Sequence, residues 1–160
     1  MSNETSFDWA FWFQWMVATT AGWVIGSLLI PGLATIMIGV AMGILQWVML
    51  RSRIQDAWWW IVATAFGWGL GSFLTLLLLP EDLDALAGLL LGLSTGLSQW
   101  IVLSRFVRWS GWWIVANVIA WTTATGLFPG LFLPGVMAGL ITATVITWLF
   151  LFPKLLEESS

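Results

Sequence analysis

The sequence predicts an all-α integral membrane protein: six transmembrane helices, paired as three tandem helical hairpins in a pseudo-threefold bundle. Three observations point there. The first is composition. Of 160 residues, 60% are hydrophobic and 8% are charged, and mean hydropathy is +0.95. A soluble domain carries about 25% charged residues and about 45–50% apolar ones. Five Lys and Arg with eight Asp and Glu cannot cover a water-facing surface of this size. The second is a series of six apolar stretches, each near the roughly 20 residues that cross a bilayer. The third is an internal repeat that pairs those stretches.

The first stretch runs from Phe11 to Ile30 and stops at Pro31; the second runs from Gly32 to Leu50 and stops at Arg51-Ser52-Arg53. The third covers Trp58 to Leu79 before Pro80-Glu81-Asp82, and the fourth Ala85 to Leu103 before Arg105 and Arg108. The fifth covers Gly111 to Phe128 before Pro129-Gly130, and the sixth Leu133 to Phe152 before Pro153-Lys154. Proline suits these boundaries because it cannot donate an internal helix hydrogen bond. The whole chain, 1–160, reads as a single membrane domain, with hairpins at 11–53, 58–105 and 111–152.

Six crossings place both termini on one side. Arg51, Arg53, Arg105, Arg108 and Lys154 all fall on that side, and the opposite loop between the third and fourth stretches carries Glu81, Asp82 and Asp84. Basic residues in short loops mark the cytoplasmic face, so both termini are expected in the cytoplasm. Met1 to Asp8 holds two acids and no base. A cleavable signal peptide begins with basic residues, so none is expected.

Trp15, Gly22, Trp23, Gly26 and Ser27 recur 45 residues later as Trp60, Gly67, Trp68, Gly71 and Ser72. The fifth stretch repeats the pattern as Trp113, Ala120, Trp121 and Ala124, a further 53 residues on. Gly39, Gly43, Gln46, Trp47, Leu50 and Arg53 parallel Gly92, Gly96, Gln99, Trp100, Leu103 and, one residue out of step, Arg105. The sixth stretch keeps Gly135 and Gly139 but sets Thr142 where Gln stood. The third copy has therefore drifted most. Copies of two crossings each share one orientation, and such repeats are related by an axis along the membrane normal.

The pattern WWxVAxxxGWxxG followed by GxxxGxxQWxxLR resembles a loose group of tandem-repeat bacterial membrane proteins, photosynthetic bacteria among them. The resemblance spans nearly the whole chain and brings no established activity with it. It implies a bacterial inner or internal photosynthetic membrane. Length and Trp content are also similar to the tryptophan-rich sensory proteins. Those have five spans, and their Pro-Pro and Trp-Pro pairs are absent here.

Small residues four apart line most stretches, which lets helices approach closely or makes room for a flat ligand. Ten Trp cluster near the terminal side: Trp9, Trp12, Trp15, Trp58, Trp59, Trp60, Trp109, Trp112, Trp113 and Trp148. An aromatic belt at one interface is the expectation for them. Trp23, Trp68 and Trp121 lie eight residues deeper, about 12 Å at 1.5 Å per residue. They read either as core packing or as three equivalent indoles lining a groove for a flat hydrophobic molecule. Gln46, Gln99 and Asn117 are the strongest polar groups in the apolar stretches, helped by Thr19, Thr20, Thr64, Thr122, Thr123 and Thr142. They can bond across helices, and an amide oxygen could also ligate a chlorophyll magnesium. Arg51, Arg53, Arg105 and Arg108 set topology and can touch anionic lipid headgroups; Asp56 is placed to bond Arg51 or Arg53.

Several functions fall away. Five basic residues make no nucleic-acid face. With no Cys and no His, disulfides and thiolate or imidazole metal sites are excluded. No nucleophile–base pair or phosphate loop can be assembled, so no enzyme is expected. Three readings remain. The leading one is an accessory or scaffold subunit whose partners are membrane lipids and other membrane proteins. The second is a binding module for chlorophyll, carotenoid or quinone at Trp23, Trp68 and Trp121. The third is a small-solute conduit ringed by Gln46, Gln99 and Thr142.

Overall fold

A computed structural model describes residues 6–29, 34–80 and 83–154. Those residues form six helices: α1 (Trp9–Leu29), α2 (Ala34–Leu50), α3 (Trp59–Leu78), α4 (Asp84–Leu103), α5 (Trp112–Leu127) and α6 (Leu133–Leu149). Beyond them, the described residues hold one isolated bridge, between Val107 and Pro153. The sequence placed each helix boundary within three residues. The Pro31-Gly32 break and the acids Glu81 and Asp82 lie outside the described residues.

Local chemistry explains the ends. Asp8 Oδ1 accepts the Phe11 N–H at 2.9 Å, satisfying one of the donors a helix start leaves open. α3 stops at Leu79, which is extended, as a residue before proline prefers. Pro134 sits in the first turn of α6, where its missing N–H costs nothing.

Among the described residues, only α3 and α4 are both long and apolar enough to cross a membrane by length and composition. The helices α2, α5 and α6 have 17, 16 and 17 residues. α1 has 21 residues but carries four Trp, Gln14 and two adjacent Thr, which dilute its apolarity.

Each helix packs on its neighbours in chain order, and α6 returns to α1 to close a ring. The glycines make the contacts. Gly22 and Gly26 of α1 abut the backbone of α2 at Met42 and Ile38, and Gly67 of α3 abuts α4 at Thr95. Gly92 of α4 meets α5 at Asn117, while Gly135 and Gly139 of α6 meet α1 at Thr20 and Met16. A Cβ at Gly22, Gly26, Gly67 or Gly92 would overlap main-chain atoms of the facing helix. The expected packing role of these residues is thus what the structure shows.

One end of the ring gathers the first and last described segments. Arg108 N–H donates to Phe152 O at 3.0 Å and Lys154 N–H to Phe106 O at 2.8 Å, and the Lys154 ammonium reaches the Ser104 carbonyl. Asp8 pairs with Arg53, whose guanidinium lies 4.1 Å from the Phe11 ring centroid and 5.7 Å from that of Phe150. Arg53 therefore finds Asp8 rather than the expected Asp56. Asp56 lies in a left-handed turn, at φ 51°, and its carbonyl accepts the Trp59 N–H.

Candidate functional site in the bundle core

Two layers of indoles fill the ring. Nearer the termini, Trp15, Trp60 and Trp113 of α1, α3 and α5 meet with all three centroid separations at 5.8 Å. All three are fully buried. They were expected in an interfacial belt, and this is a correction. The reason is helical phase. Trp15, Thr19, Gly22 and Gly26 share one face of α1, and that face turns inward against α2. The other belt residues behave as expected for an outer surface: Trp9, Trp58, Trp59, Trp109, Trp112 and Trp148 are exposed, while Trp12 bonds Thr144 Oγ1 at 3.0 Å.

A polar ring ties the first layer together. Trp60 Nε1–H donates to Gln46 Oε1 at 2.9 Å, and Gln46 Nε2–H donates to Thr19 Oγ1 at 3.0 Å. One repeat later, Trp113 Nε1–H donates to Gln99 Oε1 at 2.9 Å, and Gln99 Nε2–H to Thr64 Oγ1 at 2.8 Å. Each chain links three consecutive helices. Gln46 and Gln99 thus bond across helices as anticipated, and each amide oxygen holds an indole N–H. The third link is weaker. Trp15 Nε1–H reaches Thr142 Oγ1 at 3.3 Å, and Thr142 donates to Ala138 O of its own helix at 2.7 Å. Asn117, expected to bridge helices, instead donates from Nδ2 to Trp113 O on α5 at 2.9 Å.

The second layer lies about two turns further in, roughly 12 Å along the helices. Trp23, Trp68 and Trp121 meet there, with centroids 5.9, 5.7 and 4.8 Å apart. Trp68 and Trp121 cross edge to face at 87°, an arrangement the ring quadrupoles favour. The three residues singled out from the repeat do converge, on one another. Trp23 Nε1 and Trp68 Nε1 are buried with no hydrogen-bond partner, as are Ser72 Oγ and Thr95 Oγ1.

Among the described residues, no ionisable side chain is buried in the core, so its chemistry is that of indole N–H, amide and hydroxyl groups. Among the described residues, no three Asp or Glu approach closely enough to hold a metal ion. The resolved shift in titration belongs to Asp8 at the ring end. The Phe11 backbone N–H, with Arg53 beside it, holds that carboxyl below its ordinary value.

Sequence reasoning missed the Trp15–Trp60–Trp113 layer although its signal was present. Each lies four residues before Thr19, Thr64 or Asn117, one helical turn along the same face. No protein-family model, curated protein or solved structure matches the chain.

Proposed function

We propose that the chain is a non-enzymatic accessory or scaffold subunit of a membrane protein complex, with all six helices crossing the bilayer in a pseudo-threefold bundle and both termini cytoplasmic. One observation carries this reading. The inward faces are consumed by packed indoles and facing glycines, while large apolar side chains cover the outside. Phe66, Phe73 and Leu76 of α3 are 63, 60 and 85% exposed, and Leu28, Leu127 and Leu133 extend the same outer surface. An apolar exterior of this extent needs lipid or protein against it. The shorter helices reach only about 24–26 Å at 1.5 Å per residue, against roughly 30 Å of hydrocarbon. Exposed indoles at the terminal end and local bilayer thinning accommodate that difference. The connections between helices are turn-length, so partners would meet the lipid-facing helix surfaces. The resemblance of the repeat motifs to those of tandem-repeat bacterial membrane proteins is the ground for placing the chain in a bacterial inner or internal photosynthetic membrane.

Native mass spectrometry after gentle extraction from the chain's own membranes tests the proposal. The expected result is a mass above 17.8 kDa that resolves into other polypeptides. A bare monomer at every detergent level overturns it.

A second reading has its own observation. The Trp23 and Trp68 indoles each hold an unpaired, buried donor. Donors recognise an acceptor, so a quinone carbonyl suits them and a chlorophyll magnesium does not. A lipid-soluble carbonyl compound copurifying with the wild type, and lost from Trp68→Phe, would favour this module. The conduit reading is weakened by the two closely packed indole layers across the axis.

A further inference from the structure

Two pockets at the terminal end occupy the same place in successive hairpins. The first, about 270 Å³, is lined by Gln55, Asp56, Trp59, Val102, Arg105 and Phe106. The second, about 310 Å³, is lined by Arg108, Trp109, Gly111, Trp112 and Val115. Gln55, Asp56 and Trp59 are the 53-residue counterparts of Arg108, Trp109 and Trp112. Each pocket sets one guanidinium beside exposed indole: Arg105 with Trp59 in the first, Arg108 with Trp109 and Trp112 in the second. The guanidinium groups come from different positions: Arg108 stands where the first pocket has Gln55, and Arg105 has no counterpart in the second. The first adds a carboxylate, Asp56, and the second has Trp109 in its place.

Asp56 and Arg105 line one space without pairing: among the described residues, the ion pair is Asp8–Arg53. Asp56 is held there by a left-handed turn at φ 51°, a conformation Asp and Asn tolerate better than other side-chain-bearing residues. Two opposite charges on a shared pocket fit a ligand that carries both. A guanidinium takes a phosphate through paired N–H donors. A carboxylate with the Gln55 carbonyl takes a primary ammonium, which donates three hydrogen bonds. The flanking Trp59 suits the water–lipid boundary.

We infer that the Asp56–Arg105 pocket recognises a zwitterionic phosphate–primary amine group, the phosphoethanolamine headgroup of a lipid, whereas the Arg108 pocket accepts a phosphate headgroup without regard to an amine. This rests on the membrane reading, because it sets the pockets at headgroup depth.

The test uses the full chain in nanodiscs containing equal phosphatidylethanolamine and phosphatidylglycerol, with retained lipids identified by native mass spectrometry. The wild type should enrich phosphatidylethanolamine. Asp56→Asn, which keeps the left-handed turn, should lower that enrichment about threefold, the scale of one partly exposed ion pair. Arg105→Gln should retain one lipid fewer. Trp109→Asp should raise the amine preference of the second pocket, though less than in the first, because Arg108 stands where the first has Gln55. Soluble phosphoethanolamine added as competitor separates two sources. A headgroup site keeps its lipid, and a site for the free phospho-amine loses it; both outcomes uphold recognition by paired charges. Equal lipid ratios in all four proteins overturn the inference. A failed membrane reading shows itself differently, as a chain that does not enter nanodiscs at all.

Discussion

Trp60 donates its indole N–H to Gln46 Oε1 at 2.9 Å, and 53 residues further on Trp113 makes the same bond to Gln99 at the same distance. The repeat in the sequence is thus a repeat of hydrogen bonds. It joins the start of one hairpin to the end of the one before it. Helices that cross a bilayer gain little from burying apolar surface against each other, so on the proposed membrane reading close packing and such bonds hold them together.

Removing one amide should open one link. Gln99→Leu leaves the Trp113 N–H without its acceptor in a dry core, at a cost of about 1–2 kcal/mol. Gln14→Leu, on the exposed outside of α1, should stay within about 0.5 kcal/mol of the wild type. Unfolding titrations in mild detergent compare the two.

The glycines should sort by what faces them. Gly67→Ala drives a methyl into the Thr95 backbone and should cost about 1–3 kcal/mol through overpacking. Gly69→Ala meets nothing within 4 Å. It should be neutral, or stabilising by up to about 1 kcal/mol, from helix propensity. Thermal unfolding of the two variants reads the contrast.

The third hairpin can be returned to the pattern of the first two. Thr142→Gln supplies the missing amide and Asn117→Thr the hydroxyl it would reach, as Gln99 reaches Thr64. Asn117→Thr alone gives up the bond to Trp113 O. The two changes should couple favourably by about 0.5–1.5 kcal/mol in a double-mutant cycle. Strict additivity would mean that the third link does not form.

Asp8 should give a small pH dependence. Its folded titration lies below the ordinary value of 3.8, first through the Phe11 N–H and then through Arg53. A lowered carboxylate stabilises fully above the unfolded value and loses its effect as pH falls through the folded one. The side chain is 40% exposed, so screening keeps the gain below about 1 kcal/mol. The stability difference between wild type and Asp8→Asn should be constant above about pH 5. It should fade below pH 3.8 and shrink with added salt.

The helices were legible because apolar runs ending at Pro or Arg state their own boundaries. The glycine contacts were legible because small residues four apart admit a close neighbour. The layer of Trp23, Trp68 and Trp121 was legible as a triplet, since the 45- and 53-residue offsets put them at one depth. The layer of Trp15, Trp60 and Trp113 was not. Runs such as Trp58-Trp59-Trp60 place neighbouring side chains about 100° apart on a helix, so one faces the core while the others face out. Nearness to the chain's charged end suggested a surface role for all of them, and the face shared with Gly22 and Thr19 decides otherwise. Asn117 matched Thr19 and Thr64 in register but not in reach. Thr142, which faces it in the repeat, has a hydroxyl where the amide of Gln46 or Gln99 would extend, and no spacing rule measures that length.

The most direct test of the six-span reading is thiol accessibility, since the chain has no Cys and each introduced one reports only its own position. Ser6→Cys, Ser52→Cys and Ser104→Cys lie at the terminal end of the ring, and Leu83→Cys and Leu131→Cys at the opposite end. With a membrane-impermeant maleimide on sealed right-side-out vesicles, Leu83→Cys and Leu131→Cys should label at once, and the other three only after permeabilisation. Labelling of all five from the same side would contradict the account.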